Sequence, residues 1–145
     1  GELLRQMRAA GVMAGFLGGP GVDDARLVHI AGSAAQGVSY ISLGFTLDQV
    51  ADAGLRRRLS ESALRPAGPY TVLAYDGTQL LLDTLAQAIK NNGKPTRAGV
   101  AEALQKSRYQ GVTGDIAFDA QGQREMAPLN VYRITTEQYP GEVAP

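Results

Sequence analysis

Few residues in this sequence have side chains that could do covalent or metal chemistry. His29 is the single histidine and cysteine is absent. Disulfides, thiolate metal sites and cysteine nucleophiles therefore fall away, and no second imidazole exists to complete a transition-metal site. His29 lies among Leu27, Val28 and Ile30 and reads as a packing or surface histidine. Asp23 and Asp24 adjoin, but neighbours at i and i+1 point apart, and their place before an apolar helix suits capping better than acid–base work. Gly-x-Ser-x-Gly, a P-loop and a complete Gly-x-Gly-x-x-Gly are all missing, so the common hydrolase, nucleotide and dinucleotide signatures fail.

Three features remain that could bind rather than react. Gly18-Gly19-Pro20-Gly21 places glycine backbone between a strand end and a helix start, where a ligand can approach main-chain N–H groups closely; a plain strand-to-helix turn has the same composition. Carboxyl ends of strands are also where open α/β sheets hold ligands. Tyr70 and Tyr75 open a long helix, where their rings either pack a core or line a cleft. Arg56 to Arg58 form a basic run that reads as the solvated edge of a helix.

The elements that position these residues follow from periodicity. Leu3, Leu4 and Met7 predict a helix from Glu2 to Ala10 closed by Gly11 in the left-handed region. Ala14 to Leu17 is expected as a short strand, and Asp23 or Asp24 as the cap of a helix carrying Leu27, Val28 and Ile30. Residues 37–42 form a second strand by their β-branched and aromatic content. Leu47 to Leu64 is a helix, residues 65–69 a linker, and residues 70–91 the longest helix, with Leu81, Leu82, Leu85 and Ile89 on one side. Gly93 and Pro95 stop it, and Thr96 caps a helix burying Val100, Ala103 and Leu104. Alternation from Val112 to Phe118 predicts one strand, residues 119–122 a turn, and Leu129 to Thr135 a strand covered on both faces, the two strands making a hairpin-like pair. Helices alternating with strands make the class α/β.

Composition agrees with a globular domain: 145 residues, 44% apolar and 19% charged, with 14 basic residues balancing 14 acidic ones. No basic surface points to nucleic acid. The longest apolar helix is broken by Asp76, Gln79 and Asp83, short of the roughly 18 to 20 continuous apolar residues that span a bilayer. The opening residues carry neither an initiator Met nor a signal-peptide pattern and resemble the interior of an amphipathic helix, so a fragment is expected.

Four ordered segments carry a family resemblance. Residues 16–22, Phe-Leu-Gly-Gly-Pro-Gly-Val, and 30–37, Ile-Ala-Gly-Ser-Ala-Ala-Gln-Gly, resemble the second-lobe segment of the leucine/isoleucine/valine-binding proteins. Residues 68–76, Gly-Pro-Tyr-Thr-Val-Leu-Ala-Tyr-Asp, resemble that family's long return helix, and residues 109–119 resemble its Gly-Val-Thr-Gly strand. The resemblance implies a type I periplasmic binding protein: two Rossmann-like lobes that close by hinge motion over a small solute. It divides the chain into residues 1–65 of the second lobe, 66–120 returning through the first, and 121–145 crossing back.

That resemblance carries the functional expectations. The chain is expected to be a non-enzymatic, cofactor-free solute-binding component of an ABC transporter, periplasmic or extracellular and lipid-anchored, serving a membrane permease. A ligand-sensing domain of a regulator or receptor is the alternative. Tyr70 and Pro20 are the ligand-binding positions carried over, and Gly19 and Gly21 join them from the reading of the glycine loop. In the family the position of Pro20 is often acidic and grips an ammonium; proline cannot, unless Asp23 or Asp24 reaches in. Aromatic or keto carboxylates and amides thus join amino acids as expected ligands. A chain lacking most of one lobe would expose apolar faces and self-associate.

Overall fold

The computed structural model describes residues 1–62 and 67–144. The expected helix end at Leu64 and the first linker residues, 65 and 66, lie outside the described residues. The chain divides into two compact units, residues 1–44 with 129–145 and residues 45–128. The division thus falls at 44 and 128, where the resemblance placed it at 65 and 120. Packing explains the difference, because Val50 and Leu55 share a core with Val72, and Phe118 pairs with Arg124 across the turn between them.

In the first unit α1 (Glu2–Ala9) ends as its sequence predicts: Gly11 has φ 77° and donates its N–H to the Arg8 carbonyl at 3.0 Å. Leu4 is the helix residue that is buried, while Leu3 is 60% exposed. The expected strand from Ala14 shortens to β1 (Leu17–Gly18), because the Arg8 guanidinium takes the carbonyls of Val12 and Ala14 at 2.7 and 3.1 Å and ties that segment to α1. The short α2 (Arg26–Ala31) then crosses to β2 (Ser39–Ser42), parallel to β1 with Leu17 opposite Ser39. This β–α–β unit is the α/β pattern expected from the sequence.

The sheet continues through β5 (Asn130–Arg133), antiparallel to β2 with Tyr40 opposite Tyr132, and ends at β6 (Glu142–Val143), which periodicity did not reveal. Strand β5 was expected to be covered on both faces, yet Leu129 just before it is 62% exposed while Tyr132 is 4% exposed. Alternating burial along β2 sends Tyr40 and Ser42 inward. Tyr40 stacks on Tyr132 at 5.7 Å and on Tyr139 at 6.3 Å between ring centroids, amid Leu4, Leu27, Val28, Ala31, Val38 and Ile134. Burying each large apolar side chain of this kind stabilises by about 1.5–3 kcal/mol.

In the second unit the expected helix from Leu47 begins later. Thr46 and Gln49 form a capping box around one 3-10 turn, and α3 (Ala53–Ser62) starts where the Asp52 carboxylate accepts the Leu55 N–H at 2.7 Å. The long helix α4 (Thr71–Asn92) closes on Gly93 with φ 74°, and Thr96 caps α5 (Arg97–Gln105) by accepting the Gly99 N–H at 3.1 Å, as its position predicts. The inward face of α4 is Val72, Asp76, Leu80 and Thr84 at four-residue spacing; Leu81, Leu82 and Ile89, expected to share one side with Leu85, are 46–53% exposed.

The strand expected from Val112 to Phe118 shortens to β4 (Gly114–Ile116), which pairs in a hairpin with β3 (Tyr109–Gly111), just before the alternation begins, and not with β5. The hairpin's cause is Asp76. This 1%-exposed carboxylate accepts the N–H groups of Val112 and Thr113 at 2.9 and 2.7 Å and the Thr113 hydroxyl at 2.6 Å, which bends the chain there. A Cβ on Gly111 would stand 2.5 Å from the Asp76 Oδ2, so glycine is required beside it. Asp76→Ala strands three donors and is expected to cost on the order of 3 kcal/mol, read as a lower urea midpoint. Asp83→Ala, at an exposed position of the same helix, is expected to change stability by less than about 0.5 kcal/mol.

Candidate functional site

The glycine loop follows directly from the end of β1. Gly18 is buried, and a Cβ there would collide with the Val22 side chain. This glycine is required by the protein's own packing. Gly19 and Gly21 differ: both are exposed and a Cβ on either meets nothing within 4 Å. Pro20–Val22 form a single 3-10 turn in which the Val22 N–H reaches the Gly19 carbonyl at 3.1 Å and the Asp23 N–H reaches the Pro20 carbonyl at 3.2 Å. Backbone at Gly19, Pro20 and Gly21 therefore stands open on the surface of its unit.

The two aspartates after the loop have separate fates. Asp24 accepts the Arg26 N–H at 2.8 Å and holds the Arg26 guanidinium through both oxygens, at 2.8–3.1 Å. Those bonds lower its pKa to about 2. It starts α2 as expected of a cap, although the residue at the cap position itself is Ala25. Asp23 does not cap. It is 7% exposed, and its Oδ2 accepts the Ser42 hydroxyl at 2.5 Å while its Oδ1 accepts the Tyr139 hydroxyl at 2.7 Å. Asp23 is thus buried on its two donors and Asp24 is held by Arg26, each within its own unit. Ser42 and Tyr139 carried no motif signal; they stand 19 and 116 residues from Asp23.

Tyr70 lies in the other unit, at the residue before α4, with φ −99° and 44% of its surface exposed. Around it the chain is fixed by its own hydrogen bonds: Phe45 N–H to the Pro69 carbonyl at 2.8 Å, Thr71 N–H to the Gly68 carbonyl at 3.1 Å, and Ala74 N–H to the Tyr70 carbonyl at 2.9 Å. Tyr70 therefore presents its ring outward from a rigid helix start. Tyr75 takes the opposite course, packing against the Val50–Leu55–Val72 core with its hydroxyl accepting from Gln79 at 3.0 Å. His29 is exposed on α2. Among the described residues no group of three or more His, Asp or Glu could hold a metal ion, and no helix is long and apolar enough to cross a membrane.

With this geometry in view, comparison with known proteins places the chain. A family model described as periplasmic binding protein matches residues 1–138. The chain belongs to the periplasmic binding protein family. A Leu/Ile/Val-binding protein homolog from Brucella abortus is 31% identical over 134 residues, covering 92% of this chain and 35% of that protein. The leucine-, isoleucine-, valine-, threonine- and alanine-binding protein of Pseudomonas aeruginosa is 28% identical over 137 residues, 91% of this chain and 34% of its own length.

Solved structures of periplasmic binding proteins show the shared fold. The leucine-binding protein LivK of Thermotoga maritima superposes with a TM-score of 0.73 at 24% identity, over 94% of this chain and 38% of that one. LivJ of Streptococcus pneumoniae, in complex with isoleucine, gives 0.70 at 22% identity over 99% and 40%. The fold is therefore that of a type I periplasmic binding protein, as the sequence resemblance implied, and the chain spans about a third of the length of the curated relatives it matches. Those relatives are binding proteins, and the family is periplasmic.

Tyrosine ionisation gives a check on the Asp23 network. Burial first, then the charge of Asp23, raises the Tyr40 hydroxyl well above its ordinary pKa of 10.0; burial, then the Asp23 hydrogen bond, does the same for Tyr139. A folded pKa above the unfolded value favours the neutral phenol, so this stability is complete below pH 10 and declines as pH rises beyond it. Of the six tyrosines, Tyr40 and Tyr139 are expected to ionise only as their unit unfolds. An alkaline titration followed at 295 nm should place Tyr40 and Tyr139 among the late tyrosinates, and Tyr139→Phe should remove one late tyrosinate.

Proposed function

We propose that this chain is part of the solute-binding component of an ABC transporter, a periplasmic or lipid-anchored extracellular protein that takes up a small solute for a membrane permease and performs no catalysis. The single observation that supports this reading most is the open loop: Gly19, Pro20 and Gly21 offer bare backbone at the carboxyl end of β1, with no packing reason for glycine at two of the three positions. Tyr70, exposed before α4, is the other ligand-binding position we propose. The relatives' names speak for leucine, isoleucine, valine, threonine and alanine as their own ligands. For this chain we propose a small amino acid-like or carboxylate solute, with aromatic and keto carboxylates ahead of α-amino acids. Pro20 has no charge, and Asp23 and Asp24 are spent on Ser42, Tyr139 and Arg26.

A thermal-shift screen of the full-length gene product against amino acids, aromatic and keto carboxylates and amides should find a stabilising solute, since a ligand at 100 times its Kd adds about 2.7 kcal/mol to the native state. Silence across the whole panel sinks the binding proposal. Tyr70→Ala should weaken the stabilising solute by about tenfold or more, and calorimetry that gave tight leucine binding would remove the preference for solutes without an ammonium.

We also propose that the 145-residue chain prepared alone self-associates. Leu81, Leu82 and Ile89 of α4 are about half exposed, and beside them a groove of ≈ 390 Å³ is lined by Leu81, Leu85, Pro95, Val100 and Leu104. An apolar face of this kind is covered in a stable protein. Light scattering should return a mass above the 15.3 kDa of one chain; a monomer that melts cooperatively would contradict this.

A further inference from the structure

We infer that Asp23 is a positioning residue of the Gly18–Val22 loop, gripped by Ser42 and Tyr139 so that the glycine backbone offered to a solute keeps one geometry. The inference rests on the reading of this loop as a solute contact. Its physical need comes from the sequence. Gly19 and Gly21 on either side of Pro20 give the loop more backbone freedom than side-chain-bearing residues at those positions would, and that freedom must be removed before binding or lost during it. Fixing the loop in advance requires an anchor at each end.

The first anchor is the sheet, where Gly18 pairs with Tyr40 of β2. The second is Asp23. Ser42, two residues farther along that same strand, donates its hydroxyl to Asp23 Oδ2 at 2.5 Å and accepts the Gly44 N–H at 3.0 Å. Tyr139 donates to Oδ1 at 2.7 Å, and its ring is held by stacking on Tyr40, whose hydroxyl donates to the Pro140 carbonyl at 2.5 Å. Both ends of the loop are therefore referred to one strand, through Tyr40 at one end and Ser42 at the other. The backbone contacts within the loop are two turn hydrogen bonds of 3.1 and 3.2 Å, and the Val22 side chain packs on Gly18 and the core of its unit. Packing alone has no fixed direction, and Asp23 supplies the directional bonds that refer the loop's end to Ser42 and Tyr139.

A carboxylate suits this task because hydrogen bonds to charged groups are short and directional, and two donors arriving on different oxygens fix both its position and its rotation. An apolar side chain of similar volume would be easier to bury and could rotate or slide. The Asp23 side chain is thus best understood by what it does to residues 19–22, not by its own access to ligand, which its burial denies.

The test is hydrogen–deuterium exchange on the full-length gene product, comparing wild type with Tyr139→Phe and Ser42→Ala, each of which removes one hydroxyl. The amides of Val22 and Asp23, which close the turn, should exchange about tenfold faster in either variant, while residues 27–31 and 130–133 keep wild-type protection. Ser42→Thr, which retains the hydroxyl, should restore slow exchange. Wild-type exchange of the loop in both deletion variants overturns the inference, and so does equal acceleration everywhere, which would mean a general loss of stability. L-leucine and phenylacetate serve as binding probes. A loosened loop with an unchanged Kd for the probe that stabilises wild type overturns the loop's role in solute contact and leaves Asp23's hold on it intact.

Discussion

A carboxylate taken out of water costs several kcal/mol unless donors meet its oxygens, and each unit of this protein is organised around one such group. Asp76 in the second unit and Asp23 in the first are both almost fully buried, and each draws its donors from chain segments far away in sequence. Asp76 pins Val112 and Thr113, 36 and 37 residues on; Asp23 pins Ser42 and Tyr139. Because the donors must come to the acid, these two residues set where non-local segments sit. The hairpin β3–β4 folds at Thr113 because Asp76 waits there, and Arg124 then locks onto the far side of the same turn, donating to the Thr113 hydroxyl and carbonyl at 3.0 Å each.

How much of this was readable in the sequence divides along the same line. Features decided by a residue and its near neighbours were legible: Gly11 and Gly93 at helix ends with positive φ, Thr96 on the Gly99 N–H, and the 119–122 turn, where Asp119 accepts the N–H groups of Gln121 and Gln123 at 2.9 and 2.8 Å. Features decided across long separations were not. Alternation through residues 112–118 marks β4 but not the fold-back onto β3 at residues 112–113, because that bend is dictated by an acid on α4. Asp23 in front of an apolar helix looks like a cap because the hydroxyls that claim it are invisible from residue 23. Strand β6 is two residues long and exists by pairing with β5, so periodicity has nothing to register.

For the candidate site the position of the loop was legible and its support was not. Composition marked residues 18–21, yet only the structure separates Gly18, which the Val22 side chain forces to be glycine, from Gly19 and Gly21, where a Cβ would meet open space. Tyr70 and Tyr75 were equivalent as sequence. They diverge because helix α4 turns Tyr75, three residues after Val72, toward the Val50–Leu55–Val72 core, while Tyr70 stands before the first turn and is left exposed.

The charge balance around the loop has a consequence for what it can select. Asp23, 7% exposed and facing the Ser42 and Tyr139 hydroxyls at 2.5–2.7 Å, has almost no surface left for an incoming cation. Asp24 is no freer: an exposed Asp–Arg pair contributes little to stability, but the two-pronged Arg26 contact already neutralises the charge that an ammonium would seek. Proline at position 20 removes the one loop side chain that could have supplied a third acid. Under the proposed role as a solute contact, what remains facing outward is neutral backbone, whose dipoles would discriminate by hydrogen-bond geometry and fit, not by charge. A loop of that kind gains selectivity in proportion to how rigidly its backbone is held, so a buried acid that gives up contact with the solute can contribute more to recognition than one that touches it.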